Sequence, residues 1–145
     1  MATPEWHLKM SMKYYTRALS DFEAAKFYEE LEDKACYFAS SAEFLLLALD
    51  HLLSWFTRSD EFTSRISRWK SLQSHGKFRR LDSVKQKEII KFGREVELIR
   101  NKLLYLHKTP SSDINFLSLI KLKPLLERYK NVEKIIRGLR RKNYK

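Results

Sequence analysis

Arg100, Asn101 and His107 are the side chains of this sequence whose types and spacing best suit chemistry on a phosphate. A guanidinium is always charged and offers a fork of donors to phosphate oxygens, whereas an imidazole titrates near neutral pH and can move protons. Apolar residues at Phe92, Val96, Ile99, Leu103 and Leu106 recur at helical spacing and predict an amphipathic helix through this stretch. At about 100° per residue, Arg100 and His107 fall within roughly 20° of each other at one edge of the stripe. Asn101 falls about 100° further round, away from the core. Pro110 lacks an N–H and disfavours helix in the residue before it, so the helix should stop near Lys108 or Thr109, with His107 in its last turn. The same residues also suit a plainer role, a surface arginine and a helix-end histidine stabilised by the helix dipole.

The elements that must position these groups read as helices throughout. Thr3-Pro4-Glu5 is a helix start, with a capping hydroxyl, a first-turn Pro and an early acid. Tyr15, Ala18, Leu19, Phe22, Ala25 and Tyr28 mark one apolar face; Ala35, Phe38, Ala42, Leu45, Leu49, Leu52 and Phe56 mark a second. One helix from Tyr15 to Phe56 would be about 63 Å long, too long for a domain of this size. A turn is therefore expected in the charged stretch 29–33, although Ser20-x-x-Glu23 and Ser40-x-x-Glu43 both resemble capping boxes and offer rival breaks. Asp60 can cap a third helix through Phe62, Ile66, Trp69 and Leu72, and Ser74-His75-Gly76-Lys77 reads as the clearest loop. Asp82 can cap the long helix that carries Val84, Ile89, Phe92 and then Arg100, and Gly93 inside it marks a close approach by a neighbour. Ser111-Ser112-Asp113 can cap a last region through Ile114, Leu117, Ile120 and Leu122. Pro124 kinks or restarts that region before Leu125, Leu126, Tyr129, Val132, Ile135, Ile136 and Leu139. Residues 137–145 form a basic tail expected to fray.

Three Gly and three Pro among 145 residues are too few for the turns of a β-rich fold, and 43% apolar with 32% charged residues suits a single all-α domain, a bundle of four to five main helices. With 29 basic against 18 acidic residues the formal charge is +11, which favours polyanionic partners, nucleic acid first, an acidic protein second and a membrane surface third. A lone Cys36 permits no internal disulfide, the first residues do not read as a signal peptide, and the apolar run 44–49 is too short to span a bilayer; a cytoplasmic protein without membrane association is expected. No histidine pairs at i, i+3 or i, i+4 with another His or Cys, and no Gly-rich phosphate loop exists, so neither a metal site nor a cofactor is expected.

Glu43 reads either as an edge or capping carboxylate or as a buried acid that orients Arg100. Lys77, Arg79 and Arg80, together with Arg137, Arg140 and Arg141, can track an RNA backbone, and Phe78 and Tyr144 can stack on unpaired bases; solvated charge is the plain alternative. Trp55, Trp69, Leu98 and Tyr105 are large groups that one stripe per helix does not obviously bury, which suggests self-association.

Arg100-Asn101-x5-His107 resembles the Arg-x4–6-His motif of HEPN domains, at the long end of that family's spacing. Ala24-Ala25-Lys26-Phe27-Tyr28 and Ala35-Cys36-Tyr37-Phe38-Ala39-Ser40-Ser41-Ala42-Glu43 are similar to the first two HEPN helices, so the resemblance covers roughly residues 14–107. It implies a helical bundle acting as a metal-independent endoribonuclease, such as the toxin of a toxin–antitoxin or other defence system. It also implies a homodimer in which Arg100 and His107 of two protomers share one cleft. His107 would then be the general acid or base, Arg100 would hold the phosphate, Asn101 would position, and Glu43 would support Arg100. An antitoxin or nucleotidyltransferase partner is expected on another chain. Some HEPN proteins only bind or dimerise, so a non-catalytic RNA-binding or partner-binding module is the alternative.

Overall fold

The computed structural model describes residues 2–58, 68–104 and 116–142. Its first helix, α1, spans Pro4–Ala25 and starts as its first residues dictate: Thr3 Oγ1 accepts the Trp6 N–H at 3.1 Å, and Pro4 occupies a position where no N–H is needed. The second, α2, spans Leu31–Thr57. The joint therefore lies at 26–30, a few residues before the expected 29–33, and its mechanism is visible in the backbone. The N–H groups of Lys26, Phe27 and Tyr28 bond carbonyls three residues back, tightening and ending α1. Glu32 and Asp33 fall in the first turn of α2, at the positive end of its dipole. Neither capping-box look-alike breaks a helix; both lie inside one.

Helix α2 is the spine of the bundle and packs against α1 along most of its length. Tyr15, Ala18, Phe22 and Ala25 of α1 are buried, as is every member of the predicted α2 stripe; each large aliphatic group stabilises by about 1.5–3 kcal/mol. Leu19 and Tyr28 are the exceptions on the α1 side and stay exposed. By length and composition α2 as a whole passes for a membrane span, although the run 44–49 alone is too short, but 67% of its most apolar window is buried inside the bundle. It ends at Arg58, which takes the left-handed conformation (φ 57°) while its N–H bonds Ser54 O.

Two short helices follow, α3 (Arg68–Ser74) and α4 (Gly76–Arg79). The predicted Ser74–Lys77 loop is thus a single hinge residue, because His75 Nδ1 accepts the Lys77 N–H at 3.3 Å and caps α4. The proposed cap Asp60, with Phe62 and Ile66, lies outside the described residues. Helix α5 (Ser83–Leu104) is capped as predicted, Asp82 Oδ1 accepting the Lys85 N–H at 2.8 Å; that bond holds the Asp82 carboxyl below its usual range. Ile89, Phe92, Val96, Ile99 and Leu103 are buried, whereas Val84 is exposed. At Gly93 an added Cβ would run into the Trp69 indole, so this glycine admits α3 to the surface of α5.

A π-helical segment, Phe116–Leu122, leads into α6 (Lys123–Lys142), so Pro124 sits in the first turn of a restarted helix. The wider turn shifts the buried face: Ser118 and Leu122 are buried and Ile120 is exposed. Residues 137–142, expected to fray, continue α6 as regular helix. Trp55 and Trp69, expected to lie open, instead pack on the core, Leu98 stays exposed, and Tyr105 lies outside the described residues. Among the described residues the architecture is an all-α bundle of six helices, four of them long.

Buried polar groups tie the helices together. Ser11 on α1 donates to Ala48 O of α2 at 2.8 Å, which uses its one proton, so the Tyr129 hydroxyl of α6 must donate to Ser11 across 2.7 Å. Tyr15 O–H donates to Leu126 O at 2.8 Å and Ser41 O–H to Ala18 O at 2.6 Å. His7 and His51, 44 positions apart, meet in the core with their Nδ1 atoms 2.9 Å apart; one ring donates, and the accepting ring holds its proton on Nε2.

Candidate functional site

Val96, Ile99 and Leu103 seat α5 on the core, which leaves Arg100 at the edge of the buried stripe and facing α2. There Arg100 Nη1 donates to Glu43 Oε2 at 2.9 Å, between side chains that keep 13% and 23% of their exposure. Asn101 projects outward from α5, yet its amide reaches back: Arg100 Nε and Nη2 both donate to Asn101 Oδ1, at 3.2 and 2.9 Å. Glu43 is therefore the acid that orients Arg100 and not a capping carboxylate. The Ser40 that would have formed the box is engaged elsewhere, donating to Asp21 Oδ2 at 2.6 Å.

The guanidinium has five N–H donors, and Glu43 and Asn101 accept from three of them. Among the described residues nothing accepts from the other two, one on each Nη, which are two donors for an anionic ligand. The clasp removes the rotational freedom that an isolated arginine would lose on binding, so the charge is preorganised.

The adjacent residue of α2, Phe44, faces α1. Tyr14 stacks on its ring with centroids 5.6 Å apart, and the Arg17 guanidinium lies 5.4 Å from its centroid. Arg17 Nε also pairs with Asp21 Oδ1 at 3.4 Å, although its side chain remains 65% exposed. The half-buried α2 residues Ser40, Glu43 and Phe44 thus touch cations or their partners from both neighbouring helices, Arg17 from α1 and Arg100 from α5. Sequence reading missed Arg17; its signal was the i, i+4 spacing to Asp21 on the outer face of α1.

His107 lies outside the described residues, three positions beyond the last residue of α5. Among the candidate RNA contacts, Arg79 and Arg80 are exposed. Lys77 is half-buried, and its Nζ donates to Phe56 O at 3.5 Å, closing α4 over the end of α2. Phe78, expected to stack on bases, is instead completely buried: Arg79 and Arg80 beside it face water, and the ring fills the core. Arg137 is half-buried, 3.8 Å from Glu133, and Arg140 and Arg141 lie in the last turns of α6. Tyr144 lies outside the described residues. Comparisons with protein-family models, with curated proteins and with solved structures give no match.

Proposed function

We propose that this chain is a HEPN-like, metal-independent endoribonuclease of the kind that serves as a toxin in toxin–antitoxin or other defence systems, with Arg100 and His107 of two protomers forming one centre. The observation that carries the reading is the clasped guanidinium, fixed by Glu43 and Asn101 with two donors unclaimed among the described residues. In the proposed reaction the 2′-hydroxyl of RNA attacks the adjacent phosphorus. One His107 takes the hydroxyl proton, and the other protonates the departing 5′-oxygen, leaving a 2′,3′-cyclic phosphate and a free 5′-hydroxyl. Arg100 holds the non-bridging oxygens as charge develops on them.

A second reading is favoured by burial: an arginine only 13% exposed and bonded to the neighbouring helix also serves as a structural clasp in a non-catalytic RNA-binding or partner-binding module. One experiment separates the two. Purified protein is incubated with mixed RNA in EDTA, and fragment ends are examined alongside Arg100→Lys and His107→Ala. Catalysis predicts cyclic-phosphate ends, a ~10²–10⁴-fold rate loss for His107→Ala, and a large loss for Arg100→Lys, which keeps the charge beside Glu43 but not the fork. RNA that is bound with a steep salt dependence but never cut refutes the nuclease and leaves the binding module. Light scattering showing a monomer throughout the active range removes the shared centre.

A further inference from the structure

A groove of about 470 Å³ runs along the outer face of α5, with Gln73 of α3 also in its lining. Its α5 lining follows one helical stripe: Lys87, Ile90, Lys91, Arg94 and Leu98, with Glu95 beside them. At 1.5 Å per residue the stripe is about 16 Å long, and Ile90 and Leu98 lie about 12 Å apart on its floor. Leu98 is 55% exposed whereas Ile90 is 9% exposed, so Leu98 supplies most of the open apolar surface of the floor. Glu95, the one acid among its described lining residues, is already neutralised, with Oε2 3.1 Å from Arg128 and Oε1 3.9 Å from Lys91. Among the described residues Lys87 and Arg94 have no acidic partner, so the groove presents net positive charge around an aliphatic floor. Arg100 lies about 160° around α5 from Leu98, so the groove is separate from the clasped arginine.

We propose that this groove docks an acidic amphipathic helix of a partner protein. Two apolar side chains of that helix, seven or eight residues apart, would sit over Ile90 and Leu98, and Asp or Glu between and beside them would face Lys87, Lys91 and Arg94. A single-stranded nucleic acid fits less well, because among the described residues no aromatic ring lines the groove for bases to stack on. The docking does not depend on the ribonuclease reading.

The test uses the full chain and a fluorescein-labelled acidic peptide of about 18 residues, five helical turns, with Leu seven positions apart and Glu at the flanking stripe positions. Its control is a scrambled peptide of the same composition and charge. Fluorescence anisotropy should show the scrambled peptide binding at least ~10-fold more weakly, and Leu98→Glu and Lys87→Glu/Arg94→Glu should each weaken the designed peptide by a similar factor. A peptide with Lys in place of Glu should recover binding to Lys87→Glu/Arg94→Glu, which guards against a folding artefact. Equal binding of the scrambled peptide, or failure of the designed one to bind, overturns the proposal. It is also overturned if Leu98→Glu weakens poly(U) as much as the peptide, or if it converts a dimer to a monomer; the groove would then belong to RNA or to a second copy of this chain.

Discussion

The Glu43–Arg100 contact joins α2 to α5 at 2.9 Å, and its strength decides how any Arg100 variant should be read. Exposed ion pairs contribute about 0–1 kcal/mol, whereas breaking a buried pair costs about 3–5 kcal/mol by stranding a charge. With side chains 13% and 23% exposed, this pair stands between those limits and nearer the buried one for Arg100. Arg100→Met should therefore cost about 2 kcal/mol by removing the Arg100 cation from beside Glu43. Glu43→Gln, whose amide oxygen still accepts from Nη1, should cost about 1 kcal/mol. The double variant should recover about 1 kcal/mol relative to the sum, because neither stranded charge remains. Urea unfolding followed by circular dichroism measures the four corners of this cycle. Repeating it at about 1 M salt, where screening acts within roughly 3 Å, separates a sheltered pair from a surface one. Coupling below about 0.5 kcal/mol, or coupling that vanishes in salt, would refute the clasp and with it the preorganised guanidinium.

Gly93→Ala should destabilise by about 1–2 kcal/mol despite alanine's better helix propensity, because its Cβ meets the Trp69 indole; Trp69→Leu should suppress the loss in thermal melts. Burial raises the Tyr129 hydroxyl above its ordinary value, and burial, then Glu133 and Glu127, raise Tyr15. The unfolded chain releases these protons near pH 10 and the folded chain keeps them, so stability is full below about pH 10 and falls as pH rises beyond it. Tyr129→Phe should flatten that fall and cost about 1 kcal/mol at neutral pH through the lost bond to Ser11, read by urea titration at several pH values. Arg58→Gly should stabilise by about 0.5–1 kcal/mol, since glycine adopts the left-handed conformation without a Cβ penalty; an unchanged or lower denaturation midpoint refutes that strain.

Periodicity carried most of the fold because it is a local signal. Ala35 through Phe56 could be phased residue by residue, and Asp82 announced its helix through a bond spanning three positions. What failed were features set by distant neighbours. Arg100 could be placed on an edge, but its partner stands 57 positions away, and only the location of an acid inside an apolar helix hinted at it. His7 and His51 carry no mutual spacing at all, so their contact across the α1–α2 packing was invisible. Phe78 misled because three basic neighbours made a surface cluster of it, whereas a four-residue helix turns its ring inward while Arg79 and Arg80 face water. Ser40-x-x-Glu43 has the spacing of a cap, but Asp21 and Arg100 claim its two side chains from other helices.

Ser11 and Tyr15 sit on the first helix, and their bonding partners on α6 arrive late in synthesis: 111 positions separate Tyr15 from Leu126 and 118 separate Ser11 from Tyr129. A ribosome adding about 5–20 residues per second needs roughly 6–24 s to cover that distance. During this interval α1 and α2 can already pair, because their contacts are near in sequence, but the face awaiting α6 is uncovered. That waiting face is mainly apolar and would adhere to any similar surface, yet it carries the Tyr15 hydroxyl and the Ser11 oxygen, whose remaining bonds only water can supply until α6 emerges, Ser11 having already given its proton to Ala48 O. Those hydroxyls make the half-made bundle less adhesive than an all-hydrocarbon face would be, and they then guide the final helix to its seat.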